Sequence, residues 1–302
     1  MLALIAPGQG SQTSGMLSSW IKDPALHNLL NQWSSDIDLD LLRLGTTAEA
    51  EEIKDTANAQ PLIVATSLLT SHALGIKNVA IVSGHSVGEL AAASICGAIT
   101  DTDALRLVRA RGIEMAKAAA LIPTGMSAVL GGDRAQVLTS IESLGLVAAN
   151  ENGGGQIVAA GDLTALAHLG ENPPHGSRIR ALAVAGAFHT TYMASAVAPL
   201  TALAATMSTT VPVIPVVSNK DGAVINQADE ILSRIVNQIT HPVRWDLCME
   251  RFKSIGVTGV FELAPAGTLV GLLKRAVPEI ESFALKSSAD LEAAREFAER
   301  HA

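Results

Sequence analysis

The sequence predicts an α/β fold, in which a parallel sheet covered by helices carries a small inserted subdomain of ferredoxin-like order. Three observations point to it. Short apolar runs alternate with helix-forming stretches over the first 120 residues, the pattern of strands joined by helical crossovers. Between about 125 and 187 the order changes to β-α-β-β-α-β, which is the split βαβ arrangement of a ferredoxin-like unit. Beyond it the chain again reads as strands and helices to its end. Pro123-Thr124-Gly125 marks entry into the insert and Gly186 its exit, so 1–124 and 188–302 form the expected large subdomain and 125–187 the small one.

The elements follow in order. A buried strand is expected at 2–6, then the loop Pro7-Gly8-Gln9-Gly10-Ser11-Gln12. Helices are expected at 15–38 and 58–74, and Thr46 with Glu49 has the capping-box spacing for a short helix between them. A strand at 79–83 runs into a helix that begins near Glu89, and a long helix spans 101–120. In the insert, strands are expected at 126–130, 146–149, 157–160 and 179–185, with helices at 133–143 and 163–169. The remainder reads as an apolar segment at 189–203, strands at 211–218, 257–263 and 282–285, and helices at 228–239, 243–252, 268–276 and 290–300.

Composition narrows the function classes. Of 302 residues 48% are hydrophobic, 17% charged and 3% aromatic, so a sizeable core of Ala, Val, Leu and Ile is expected. A net charge of −8 without a basic stripe excludes nucleic acid as a partner. An acidic partner would have to dock on a local basic patch, for which Arg178, Arg180, Lys274 and Arg275 are candidates. Cys96 and Cys248 lie far apart and outside any C-x-x-C pattern, which makes them buried free thiols rather than a disulfide or metal ligands. No apolar run reaches the length of a membrane span, and residues 1–6 lack the basic start of a signal peptide. A cytoplasmic protein with no membrane partner is the expectation.

The chemistry centres on Gly84-His85-Ser86-Val87-Gly88, a G-x-S-x-G between a strand and a helix. That context is a nucleophile elbow, where two glycines permit a sharp turn that exposes the serine hydroxyl. The backbone N–H of Val87 then points to where an oxyanion would form. Gly8-Gln9-Gly10 reads either as a simple βα turn or as the source of a second oxyanion donor, the Gln9 N–H.

A serine needs a base. Of the eight histidines, His27, His72, His168, His175 and His301 lie on polar faces or beside turns and read as solvated. His241 precedes a proline and reads as a loop cap, and His85 as a packing and positioning residue within the elbow. His189 follows the apolar run 182–188 at the seam between the subdomains, where pockets form; it is either the base or a satisfied core histidine. On the 101–120 helix, Ala104, Val108, Arg111 and Met115 share one face, whereas Arg106, Arg109 and Lys117 share a solvated one. An arginine on an apolar stripe needs an anion, either an internal Asp or Glu or the carboxylate of a substrate.

These residues, with Arg111-Gly112, Gly186-Ala187-Phe188-His189, Asn237-Gln238-Ile239-Thr240-His241-Pro242-Val243-Arg244-Trp245 and Pro265-Ala266-Gly267-Thr268-Leu269, stand in the order and spacing of the malonyl-CoA:acyl carrier protein transacylases. The resemblance covers essentially the whole chain and is closest to the actinobacterial type. It implies an α/β-hydrolase-like large subdomain and a ferredoxin-like small one with the site between them. It implies that Ser86 is the nucleophile, His189 the base, and the Gln9 and Val87 N–H groups the oxyanion hole. Arg111 would grip the malonyl carboxylate with Gln60 beside it, and the Gln238 carbonyl would orient His189 in place of an aspartate. Phe188 stands where some bacterial members carry a smaller residue; members with Phe take malonyl and those with Ser methylmalonyl, because a ring beside the α-carbon leaves no room for a methyl branch. The implied reaction moves malonyl from malonyl-CoA through a malonyl-serine to the phosphopantetheine of acyl carrier protein, with no bound cofactor or metal and a monomeric enzyme. The alternatives are the transacylase component of malonate decarboxylase, a serine thioesterase, and a non-enzymatic carrier-protein docking module.

Overall fold

A computed structural model describes all residues, Met1–Ala302. In chain order the elements are β1 (Leu2–Ala6), α1 (Pro24–Asp36), α2 (Leu41–Thr46), α3 (Thr56–Leu74), β2 (Ile81–Gly84), α4 (Gly88–Ile95) and α5 (Asp101–Leu121). Next come β3 (Thr124–Gly131), α6 (Arg134–Ser143), β4 (Val147–Gly153), β5 (Gln156–Asp162), α7 (Leu163–Glu171), β6 (Ser177–Ala181) and α8 (Val197–Ala204). The chain ends with β7 (Val216–Val217), β8 (Val224–Ile225), α9 (Ala228–Asn237), β9 (Val243–Arg244), α10 (Trp245–Ser254), β10 (Gly259–Glu262), α11 (Thr268–Ala276), β11 (Glu281–Ala284) and α12 (Leu291–His301).

Two sheets organise them. The first has the order β11-β10-β1-β2-β7-β8, parallel throughout except for the terminal β7–β8 pair. Its central strand β1 is apolar and buried on both faces because helices cover both. Along β1 the side chains alternate between two cores: Leu2, Leu4 and Ala6 join the large cluster under α1–α5, and Ala3 and Ile5 join Trp245, Phe252 and Leu273 on the opposite face. The second sheet has the order β6-β3-β5-β4-β9, and its first four strands are mutually antiparallel. With α6 and α7 on one face, over Val129, Val137, Ile141 and Leu169, this is the ferredoxin-like order. The fold is therefore mixed α/β, an α/β-hydrolase-like parallel sheet with a ferredoxin-like inserted unit. No helix is long and apolar enough to cross a membrane.

Several expected elements differ, each for a local reason. The 15–38 helix starts only at Pro24, because Gly15 takes a left-handed φ of 74° and Asp23 caps the true start by accepting from the Ala25 N–H. Thr46 ends α2 instead of opening a helix: its hydroxyl donates back to the Leu42 carbonyl at 2.7 Å, and the cap is Asp40. The 211–218 strand shrinks to Val216–Val217, since Pro212 and Pro215 supply no ladder donors and leave Val211 and Val213 exposed. Val243 and Arg244 are not helical; they add to the second sheet as β9, parallel to Asn150 and Glu151. His301 is buried against Phe297 and bonded to Thr258 rather than solvated, and His72 pairs with Asp101 at 2.6 Å.

The packing of α3 on α5 brings the pocket residues together. Pro61 lies within α3 and has no N–H, so the Ala57 carbonyl lacks its helical partner. Arg109, expected in solvent, is half-buried and donates to that carbonyl at 2.9 Å. A Cβ on Gly112 would stand 2.8 Å from the Thr56 carbonyl oxygen, so only glycine permits the approach of the two helices. One turn away from these contacts, Gln60 and Arg111 face each other.

Candidate active site

The elbow is built from close backbone contacts. A Cβ on Gly84 would lie 2.0 Å from the Gly88 carbonyl carbon, and one on Gly88 would lie 2.3 Å from the Ala6 oxygen. Both glycines are thus required by β2 turning directly into α4 beside β1. Ser86 at the apex has a left-handed φ of 53°, uncommon for a residue with a side chain. Asn219, just beyond β7, clamps the turn: its Oδ1 accepts from the Ser86 N–H at 2.8 Å, and its Nδ2 donates to the Gly84 carbonyl at 2.7 Å.

His189 approaches from the segment leaving the second sheet. The Ala187 N–H donates to Thr124 Oγ1 at 3.0 Å, and the Thr190 hydroxyl donates to the Ala187 carbonyl at 2.6 Å. This brace holds His189 at a φ of 61°. Nδ1 lies 2.8 Å from the Gln238 carbonyl oxygen, and Nε2 lies 2.7 Å from Ser86 Oγ. A carbonyl only accepts, so Nδ1 carries the proton and Nε2 is left to accept from the serine hydroxyl. No carboxylate pairs with this ring. Burial, followed by the nearby Arg111 charge, lowers the His189 pKa to about 3, so the imidazole is neutral at ordinary pH.

Arg111 is 2% exposed and makes no ion pair with any Asp or Glu. Its Nη1 donates to Gln60 Oε1 at 2.7 Å and its Nη2 to Gln238 Oε1 at 3.2 Å, while Nε has no partner. Gln60 in turn donates to Gln9 Oε1 at 3.3 Å. Burial lowers the guanidinium pKa to about 10, partly opposed by Glu89, so it remains charged at neutral pH. Neither the Gln9 nor the Val87 N–H is used in a backbone hydrogen bond. Gln9, Gln60, Ser86, Arg111, Phe188 and His189 all line one cavity of about 250 Å³ between the two sheets. His85 borders it as well, its Nε2 2.8 Å from Asn152 Oδ1 on β4, and burial lowers its pKa. A larger groove of about 430 Å³ lies against α10, but its arginines Arg134 and Arg244 are paired with Glu151 and Asp246.

Known proteins match this chain along almost all of its length. Residues 4–293 match the acyl transferase domain. The chain belongs to the acyl transferase family. This acyltransferase is 52% identical to the malonyl CoA-acyl carrier protein transacylase of Mycobacterium tuberculosis, over 97% of this chain and 98% of that one. It is 33% identical to the protein of that name from Escherichia coli, again over 97% and 98%. The crystal structure of the M. tuberculosis protein superposes with a TM-score of 0.94, covering 97% of this chain and 99% of that one. A malonyl-transacylase solved with its type II PKS acyl-carrier protein, 30% identical, superposes with a TM-score of 0.91 over 98% and 99%.

Two members of the site have no separate reading in the sequence. Glu89 is the only charge in the apolar helix Gly88–Ile95 and is 3% exposed, a signal visible in the pattern. Asn219 is fully buried and reaches the elbow from a distant strand end, which nothing local announces. The four basic candidates for docking are all exposed, Arg178 and Arg180 on β6 and Lys274 and Arg275 on α11.

Proposed function

We propose that this acyltransferase moves malonyl from malonyl-CoA to the phosphopantetheine thiol of acyl carrier protein through a malonyl ester on Ser86, supplying malonyl units for fatty acid or polyketide elongation. The observation that carries the reading is a neutral Ser86–His189 pair sharing one cavity with a buried guanidinium that amide oxygens hold and no carboxylate pairs. The Ser86 Oγ attacks the thioester carbonyl as its proton passes to His189 Nε2. The Gln9 and Val87 N–H groups receive the oxyanion, each worth roughly 10²–10³ in rate. The C–S bond breaks, and His189 returns the proton to the departing CoA sulfur. The carrier thiol then gives its proton to His189, attacks the ester, and leaves as the malonyl thioester while Ser86 regains its hydrogen.

Arg111, with Gln60 beside it, grips the malonyl carboxylate through its charged guanidinium. Gln238 orients His189 through its carbonyl. Phe188 restricts the space beside the α-carbon. The segment 125–187 serves as the small subdomain that closes the cleft over 1–124 and 188–302, and the two buried free cysteines accord with a reducing, cytoplasmic setting. Mass spectrometry after mixing with malonyl-CoA tests the reading. It should find malonyl on Ser86 and none on the Ser86→Ala protein; an adduct surviving that substitution overturns the assignment.

A further inference from the structure

The elbow and the guanidinium are joined behind the cavity by three buried side chains. Glu89 is 3% exposed, Asn219 0% and Gln238 5%. Glu89 Oε1 accepts from the Asn219 backbone N–H at 2.6 Å, and Oε2 accepts from Gln238 Nε2 at 2.7 Å. Gln238 Nε2 also donates to Asn219 Oδ1 at 3.1 Å, and Gln238 Oε1 receives Arg111 Nη2 at 3.2 Å. A lone carboxylate in an otherwise apolar helix is costly to bury. A neutral amide there would keep only one acceptor atom and would turn a donor toward one of the two N–H groups.

The amide of Gln238 has two ways round. With Nε2 toward the acceptors on Glu89 and Asn219, its oxygen faces Arg111. Turned over, it would set oxygen against two acceptors and present N–H groups to the guanidinium. Glu89 Oε2 makes the shortest of the contacts that impose the first arrangement, beside Asn219 Oδ1 and the Arg111 donor. We propose that Glu89 is a positioning residue for the substrate clamp: through Gln238 it aims Arg111 into the cavity and thereby sets the preference for an acidic acyl group. This rests on the reading of Arg111 as the carboxylate clamp.

The test compares acylation of Ser86 by malonyl-CoA and acetyl-CoA, with kcat and KM separated, in Glu89→Gln, Gln238→Met, the double variant and Arg111→Ala. Thermal melting reports folding. Glu89→Gln should raise KM for malonyl-CoA about ten-fold and lower the malonyl-to-acetyl ratio by a similar factor. The double variant should have the ratio of Gln238→Met alone, because the two residues act through one contact. A folded Glu89→Gln protein whose ratio stays within about two-fold of the unsubstituted one overturns the proposal. If Glu89→Gln does not fold, Gln238→Met decides, and an unchanged ratio there overturns it. Arg111→Ala separates the two levels. A selective malonyl loss there with an unmoved Glu89→Gln ratio sinks this proposal alone, and equal losses of malonyl and acetyl transfer sink the clamp reading beneath it.

Discussion

The two ends of the cavity are equally buried and are treated in opposite ways. At one end His189 is driven to its neutral form, with a pKa of about 3, and one backbone carbonyl fixes the tautomer. At the other, Arg111 keeps its charge with a pKa of about 10, held by two amide oxygens and no carboxylate. Burial pushes both groups toward neutrality. The outcome differs because a histidine's reference value lies near neutral pH and an arginine's lies far above it. A base must be neutral to accept the serine proton, and a clamp must be charged to choose an acid. The same dry cavity therefore serves both.

Either end of the cavity can be disabled alone. The largest effect is expected at the dyad: His189→Ala should slow acylation by malonyl-CoA and acetyl-CoA alike, by roughly 10²–10⁴-fold, read by rapid-quench formation of the acyl-enzyme. Loss of one acyl group only would mean that the ring also selects substrate. Next is the clamp, where Arg111→Ala should cost malonyl transfer about 1.5–3 kcal/mol relative to acetyl transfer, in the ratio of kcat/KM values. A smaller change is expected from Phe188→Ser, which should admit methylmalonyl-CoA by about ten-fold relative to malonyl-CoA. An unchanged preference would mean that the Phe188 ring does not limit the acyl branch.

A last, gentler perturbation lies outside the cavity. Protonated His72 pairs with Asp101 between α3 and α5, and this hydrogen bond raises the His72 pKa above its usual 6.5. The contribution to stability is therefore full below pH 6.5 and is lost as pH rises through the raised value. Because His72 is half exposed, the loss should be at most about 1 kcal/mol. Denaturant melts of His72→Gln and the unsubstituted protein should differ at about pH 6 and converge at about pH 9, and a constant gap would assign the effect to packing.

How far the sequence alone reaches follows the same division. The elbow is legible because its requirement is local: two glycines, a serine, a strand before and a helix after. Arg111 is legible because helical periodicity sets it on an apolar stripe. Arg109 is misplaced by that same periodicity, since its partner is a carbonyl freed by Pro61 on another helix. Short β7 and β9 escape for a related reason. Prolines cut the first down, and the second exists only as an addition to a strand nearly a hundred residues earlier. Asn219 and the Glu89–Gln238 contact join segments about 130 and 149 residues apart, and no window along the chain contains both partners.

The most direct measurement needs no substitution. Acyl-enzyme formation by malonyl-CoA and by acetyl-CoA, followed by rapid quench from about pH 5 to about pH 10.5, reads both ends of the cavity in one protein. The expected result is a level acetyl rate with no inflection near 6.5, and a malonyl rate that rises as the Glu89 carboxyl, which burial pushes up to about 8, ionises and then falls as pH passes about 10. A shared inflection near 6.5, or a parallel fall of both rates at high pH, would contradict the division between neutral base and charged clamp.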